Sequence, residues 1–480
     1  MNKHVAFTGR MVIVGFGGIG QGVLPLILRH IDMNPARITI VTAEERGHDV
    51  ADEYGITFIN CPLTRANYRD VLVPLLGQGD FLLNVSVDVS SIALVELAWE
   101  LGALYLDTCI EPWAGGYTDT ALTPSLRSNY ALREAALKLK AMSHDKSGKD
   151  KSGKGPTAVL THGANPGLVS HLTKQALLDI AMDTTDIEVE PPRSRAEWAA
   201  LAEQLGVKVI HIAERDTQVS TTQPKRVGEF VNTWSIDGFV GEGCQPAELG
   251  WGTHERHWPA DAMQHEFGNN AAIYLMRPGA SVRVRTWTPN EGPFHGFLIT
   301  HSEAISLADF FTVRQGGKVR FRPTVHYSYH PCDAAVLSIH ELAGKSWQMQ
   351  GKQRLMGKEI SSGMDELGVL LMGHKKGAYW YGSHLAIDEA RRLCPHNNAT
   401  SLQVCIAVLS GMIWAMENPE RGIVEPEEMD HQRCLDICIP YLGPVVGAYS
   451  DWTPLDGRQR LFPEDVDAQD PWQFKNFLVA

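Results

Sequence analysis

Residues 11–20 read Met11-Val-Ile-Val-Gly15-Phe-Gly17-Gly18-Ile19-Gly20. A short apolar run ends at Gly15, and an apolar, helix-like segment follows Gly20. This strand–turn–helix setting makes Gly15, Gly17 and Gly20 the Gly-x-Gly-x-x-Gly turn of a dinucleotide-binding βαβ unit. Gly15 permits the tight turn, Gly17 lets the backbone approach a pyrophosphate, and Gly20 lets the helix pack close to the strand. The first amides of the helix, from Gly18 and Ile19 onward, then face the phosphate charge.

Working outward, residues 11–110 alternate strand and helix signals. Apolar strand runs are expected at 12–14, 38–41, 56–59, 81–85 and 104–107, with helices at 23–30 and 92–101. Ser90 or Ser91 is the expected N-cap of the second helix. Apolar strands alternating with amphipathic helices predict a doubly wound parallel sheet of Rossmann type. Ligands of such sheets sit at the carboxyl ends of the strands. That rule selects Asn84, Ser86 and Asp88 after one strand, and Asp107, Thr108 and Glu111 after the next. The run 140–156 is rich in Lys, Ser and Gly and reads as a surface loop. A sixth strand at 158–160 leads into Thr161-His-Gly163-Ala164-Asn165-Pro-Gly167, a second turn opening a helix and a second expected cofactor contact.

From about residue 185 to 330 the character turns β-rich, with strands expected at 207–212, 272–275 and 282–287. This predicts a separate α+β domain. Residues 385–418 look helical again. The expected division is 1–165 for the Rossmann domain and 166–385 for the α+β substrate and dimerisation domain. A mostly helical segment, 386–480, is expected to pack back on the Rossmann domain.

Composition narrows the partners. The chain has 480 residues, 44% hydrophobic, with a net charge of −13, which argues against nucleic acid or an anionic membrane. The 8 cysteines show no Cys-x-x-Cys spacing and read as reduced thiols. No apolar run approaches the roughly 18 residues of a membrane span, and no targeting segment precedes the first strand, which predicts a soluble, cytoplasmic protein. Of the 19 histidines, His254 and His257 have the wrong spacing for a zinc helix, and His326 and His330 lie on a strand-like segment, so no metal site is expected.

Several acidic residues stand in unusual settings. Glu214 follows the buried run Val209-Ile-His-Ile-Ala213, Trp234 and Glu242 flank a short strand-like segment, and His301 ends the strand Gly-Phe-Leu-Ile-Thr. Asp365 and Glu366 begin an apolar run. Taken singly, each reads as readily as a cap or a surface charge.

Longer motifs join these positions. The glycine turn, the 161–167 turn, His211-Ile-Ala-Glu-Arg-Asp-Thr-Gln218, Asn232-Thr-Trp-Ser235 and Gln245-Pro-Ala-Glu-Leu-Gly-Trp-Gly-Thr-His-Glu255 resemble those of bacterial homospermidine synthases. So do Tyr329-His-Pro-Cys-Asp-Ala-Ala-Val-Leu-Ser338, Gly377-Ala-Tyr-Trp-Tyr-Gly-Ser383 and Asp470-Pro-Trp-Gln-Phe-Lys-Asn-Phe-Leu-Val479. The resemblance spans the chain and implies the saccharopine-reductase-like group, a Rossmann domain plus an α+β domain that builds a homodimer. It implies condensation of two putrescine molecules to homospermidine with loss of ammonia, using one bound NAD for both an oxidation and a reduction. It also implies that Glu214, Glu242, Asp365, His301 and Asn165 line a diamine pocket, with Trp234 facing the cationic imines and Asp88 and Glu111 near the entrance. The cofactor residues expected are Gly15, Gly17, Gly18, Ile19, Gly20, Thr42, Glu44, Asn84, Ser86, Asp107, Thr108, Thr161, Gly163, Ala164 and Asn165.

Putrescine arrives as a dication, since aliphatic amines have pKa values of about 10, and must lose a proton before oxidation. His301 and Glu214 are both candidates for that base. One departure concerns the second strand, which ends at Thr42 where many NAD enzymes carry an acid. Glu44 or Glu45 is the expected substitute, with Arg46 nearby leaving NADP as an alternative. Two other functions fit the fold: a saccharopine- or carboxynorspermidine-type reductase, which needs arginines such as Arg215 or Arg285 for substrate carboxylates, and a catalytically silent NAD sensor.

Overall fold

Thr57–Asn60, Ile38–Thr42, Met11–Val14, Phe81–Asn84, Leu104–Asp107, Ala158–Val159 and Ile423–Val424 lie side by side in that order as one seven-stranded sheet, every neighbour parallel. In the computed structural model, residues 3–145, 155–185 and 190–479 are described; the central part of the predicted 140–156 loop lies outside them. Met11 to Val14 are all buried, as a strand covered on both faces requires. Strand order reverses at Met11–Val14, so the sheet has a switch point between it and Phe81–Asn84, where a crevice opens at the carboxyl ends.

Two helices fix that crevice. Gly18–His30 follows the glycine turn. Ser91–Leu101 starts where the Ser90 hydroxyl accepts the Ala93 amide at 3.4 Å, and stops at Gly102 in the left-handed region. Ser90, rather than Ser91, is therefore the cap. Ser90→Ala should cost about 1 kcal/mol, read as a small drop in thermal midpoint with cofactor content unchanged; an unaltered midpoint would mean that the cap contributes nothing.

The sheet belongs to one of two compact units, Met1–Leu168 with Thr233–Gly238 and Asp388–Tyr441. Its helix Ala399–Glu417 has the length and apolarity of a membrane span, unlike the sequence expectation, but 89% of that window is buried inside the protein. It is a core helix, capped by the Asn398 side chain on the Ser401 amide.

The second unit comprises Val169–Asn232, Phe239–Ile387 and Leu442–Ala480. Its large sheet centres on Val209–Asp216, which runs parallel to Thr324–His330 and antiparallel to Met364–His374. Side chains alternate between the faces. One face carries Ile212, Glu214 and Asp216, level with Tyr327, Tyr329, Leu367 and Asp365. The other carries His211 and His326, covered by Phe474 and Phe477, whose rings lie 4.7 Å from His211 (Phe477) and 5.6 Å from His326 (Phe474).

Four sequence expectations change here. The strand expected at 207–212 extends through Glu214 to Asp216. The segment between Trp234 and Glu242 is the helix Ile236–Cys244, not a strand. His301 follows the end of Gly292–Phe297 and is the N-cap residue of helix Ser302–Phe310. Finally, 386–480 is not one helical segment: Leu442–Ala480 lies in the second unit, where Val445–Ser450 pairs with Gly377–Ala386.

Candidate active site

In the first unit the glycine turn has the shape a pyrophosphate needs. Gly15 sits at φ +86°, and a Cβ there would lie 2.7 Å from the Ser86 backbone. Its amide donates to the Val41 carbonyl at 2.9 Å. A Cβ on Gly20 would meet the Gly15 carbonyl at 2.8 Å, whereas one on Gly17 would meet nothing within 4 Å. The helix that follows has Gly17 as its N-cap, no side-chain cap bond and no acid in its first turn. Its leading amides are thus available to an anion.

Next to this turn, the other strand ends form a hydrogen-bonded chain. Ser86 donates its hydroxyl to Asn84 Oδ1 at 2.6 Å, Asn84 Nδ2 donates to the Tyr105 hydroxyl at 3.3 Å, and Tyr105 donates to Asp107 Oδ2 at 2.8 Å. Asp107 Oδ1 accepts the Thr161 amide at 2.6 Å. Thr161 is held at φ +54°, and the turn closes where the Gly163 amide meets the Pro166 carbonyl at 2.7 Å. Thr108 approaches the same turn, its Cβ 3.6 Å from where a Gly163 Cβ would stand. Asp107 is thereby a brace between the strand end at Tyr105 and the 161–167 turn.

Burial pushes Asp107 up to about 6 against the bonds from Thr161 and Tyr105. A carboxyl whose folded pKa exceeds its unfolded value favours the native state when protonated, so its contribution declines as pH rises from about 4 to 6, by about 3 kcal/mol. The stability difference between Asp107→Asn and the parent, from urea unfolding at pH 4 and pH 7, should move by that amount in favour of the variant. An equal difference at both values would contradict it.

At the second strand's end, Thr42 is buried and its carbonyl accepts the Cys61 amide. Glu44 is exposed and pairs with Arg46 at 3.0 Å. On the opposite side of the sheet, Glu111 is buried, its amide bound to the Ser91 hydroxyl. Asp88 is raised by partial burial and by Asp237, a neighbour of Trp234 in sequence. The Trp234 segment is anchored by Asn398, which donates to the Thr233 carbonyl at 2.6 Å.

The second unit holds the acidic cluster. Glu214, Asp216 and Asp365 are all buried and share one sheet face, with Asp216 directly opposite Asp365. Tyr327 donates its hydroxyl to Glu214 Oε2 in a short bond. The Tyr327 ring stacks on Tyr329 and lies 4.4 Å from the ring of His301. His301 is clamped between two more buried carboxylates: Nε2 lies 2.8 Å from Glu242 Oε2 and Nδ1 3.2 Å from Glu303 Oε1. Ionised carboxylates only accept, so both ring nitrogens donate, which requires the imidazolium. Burial alone would lower the His301 pKa, but the charges and bonds of Glu242 and Glu303 hold it well above its ordinary value.

Two buried carboxylates thus clamp the imidazolium, and three more share the Glu214 face. The arginines a carboxylate-binding enzyme would use are engaged elsewhere. Arg215 alternates to the opposite face and pairs with Glu291 and Asp333, while Arg285 donates to the Pro454 and Asp456 carbonyls. A concentration of buried negative charge calls for a cation.

Residues 11–148 match the saccharopine dehydrogenase NADP binding domain, and 163–448 the saccharopine dehydrogenase C-terminal domain. Homospermidine synthase of Blastochloris viridis is 54% identical over 476 residues, 98% of this chain and 97% of that protein. The chain belongs to the homospermidine synthase family. Homospermidine synthase of Mesorhizobium japonicum is 53% identical, covering 98% of this chain and 96% of that one. The crystal structure of homospermidine synthase from Legionella pneumophila in complex with NAD superposes with a TM-score of 0.90 at 53% identity, covering 99% of this chain and 98% of that one.

Within this homospermidine synthase family member, the structure groups Glu214, Glu242 and His301 around Tyr327, with Asp365 on the same sheet face as Glu214. Asp88 is set beside the Trp234 segment in the first unit. Sequence reasoning missed Asp216, Glu303, Tyr327 and Tyr329. The available signal on the strands was alternation: Glu214 and Asp216 are two apart, as are Tyr327 and Tyr329.

Proposed function

We propose that this chain condenses two putrescine molecules to homospermidine with release of ammonia. The observation that carries the proposal is the excess of buried carboxylates over cations on the Glu214 face, which suits a diamine and opposes a carboxylated substrate. The glycine turn, Asn84, Ser86, Thr108 and the 161–165 turn would hold NAD. Arg46 is occupied by Glu44, and a carboxylate there disfavours the extra phosphate of NADP. Bound there, the dinucleotide supplies the oxidation of the amine-bearing carbon and the matching reduction, so the reaction is redox-neutral overall.

The remaining work falls to side chains. Asp365 and Asp216 hold one ammonium group of putrescine. Glu214 takes a proton from the other, since an ammonium cannot be oxidised until it is neutral. Between His301 and Glu214, the clamp on His301 favours Glu214 as base: an imidazolium held by two carboxylates has no free lone pair. His301 instead keeps Glu242 oriented and partly neutralised. By family resemblance, Trp234 stabilises the cationic imine by about 1–2 kcal/mol, Asn165 contacts substrate, and Asp88 and Glu111 draw diamines inward. The active form is a soluble cytoplasmic homodimer with no nucleic-acid or membrane partner.

Incubation of the purified protein with putrescine and NAD, followed by mass spectrometry of the amines, tests this. Homospermidine and ammonia in equal amounts, without net NADH, are expected. Steady NADH accumulation, or no new amine, would return the reductase or sensor alternatives.

A further inference from the structure

Glu214 is almost wholly removed from water and stands beside Asp216 and Asp365 on one sheet face. Left to burial and like charge, such a carboxyl is driven towards its protonated form, in which it cannot accept the substrate's proton. Something must hold it ionised before a diamine arrives. The Tyr327 hydroxyl is placed to do so, because it donates to Oε2 of Glu214. A hydrogen bond to the charged form favours that form, and charge-assisted bonds are the strong ones.

Tyr327 is itself fixed. Its ring stacks on Tyr329 at 5.0 Å with an interplanar angle of 9°. The ring also lies against His301, whose position is set by Glu242 and Glu303. Register explains the placement: Tyr327 pairs with Ile212 and Tyr329 with Glu214 on parallel strands, so all four side chains share a face. The tyrosine thus reaches diagonally to the carboxylate and also abuts the imidazolium cluster.

We propose that Tyr327 is a positioning residue, which keeps Glu214 ionised and fixes its orientation for proton abstraction from the diamine. The proposal rests on Glu214 being the base. Its test compares Tyr327→Phe with the parent and with Glu214→Gln, each carrying NAD. Tyr327→Phe removes one oxygen and keeps the ring. The acid limb of its kcat/KM profile for putrescine should move up by about one pH unit. Its kcat near pH 7 should fall by up to about tenfold, the limit that a one-unit shift allows, and recover at higher pH, while KM, NAD content and thermal midpoint change little.

An unmoved acid limb, or a loss equal at every pH, overturns the proposal. Fluorinated tyrosine at 327, a better donor of unchanged shape, should move the limb down; no movement there also overturns it, whatever the folding of Tyr327→Phe. If Glu214→Gln is inactive while both Tyr327 variants leave the limb in place, only the positioning role fails. If Glu214→Gln keeps its activity and limb, the assignment of the base fails and takes the positioning role with it.

Discussion

Glu214→Gln is expected to lower putrescine turnover by about 10²- to 10⁴-fold while NAD binding is untouched. The substitution keeps the shape and lets the Tyr327 hydroxyl still donate to an amide oxygen, so the sheet around it stays intact. What it removes is the proposed proton acceptor on a face built from Glu214, Asp216 and Asp365. Two losses combine. The base is gone, which lowers kcat, and one negative charge facing a dication is gone, which raises KM. Stopped assays that separate the two should find kcat the larger change. Retained bound dinucleotide would show that the first unit is unaffected. Turnover within about threefold of the parent would instead point to His301, despite its clamp between Glu242 and Glu303.

Gly15→Ala should be nearly as severe, for a different reason. Its methyl would be driven against the backbone of Ser86, at 2.7 Å from Cα and 2.8 Å from N, and those atoms cannot rotate away. The φ of +86° adds strain for any side chain, and the two together should cost about 1–3 kcal/mol. The turn must then withdraw from the strand end Phe81–Asn84, disturbing the Ser86–Asn84–Tyr105 chain. Loss of NAD, loss of activity and a lower thermal midpoint are all expected. Gly17→Ala is the instructive partner, since its methyl meets no protein atom within 4 Å. It should fold as the parent does and still bind NAD poorly, since on the proposed assignment the phosphates approach through that open space. The opposite pattern, a destabilised Gly17→Ala and a normal Gly15→Ala, would refute the assignment of the turn.

The nucleotide unit was legible in the sequence because its signals are local. Runs such as Met11–Val14 are apolar throughout, Leu104–Leu106 are apolar up to Asp107, and glycines at fixed offsets mark the turn. The acidic site was only half legible. The apolar run ends at Ala213, yet pairing carries the strand to Arg215 on one side and Asp216 on the other; tertiary context overrides propensity there. Ile236–Cys244 was misread because Gly238, Gly241 and Gly243 lower its helix propensity, although Ile236, Phe239 and Val240 keep helical spacing. Tyr327, and the pairing of Asp216 with Asp365, depend on strand register, which no local pattern encodes. The carboxylates that clamp His301 come from two helices far apart in the chain, so only folding reveals that this histidine is charged.

The seventh strand of the parallel sheet has a consequence for how the protein is made. Ile423–Val424 seals the edge at Ala158–Val159, and the Thr157 hydroxyl there donates to the Asn418 carbonyl, 261 positions later. On a ribosome adding roughly 5–20 residues per second, the strand that carries the glycine turn emerges first. It then waits on the order of 20–80 s before its sheet can be closed. The nucleotide fold is therefore started long before it can be completed, its edge exposed meanwhile to any other strand that can pair with it.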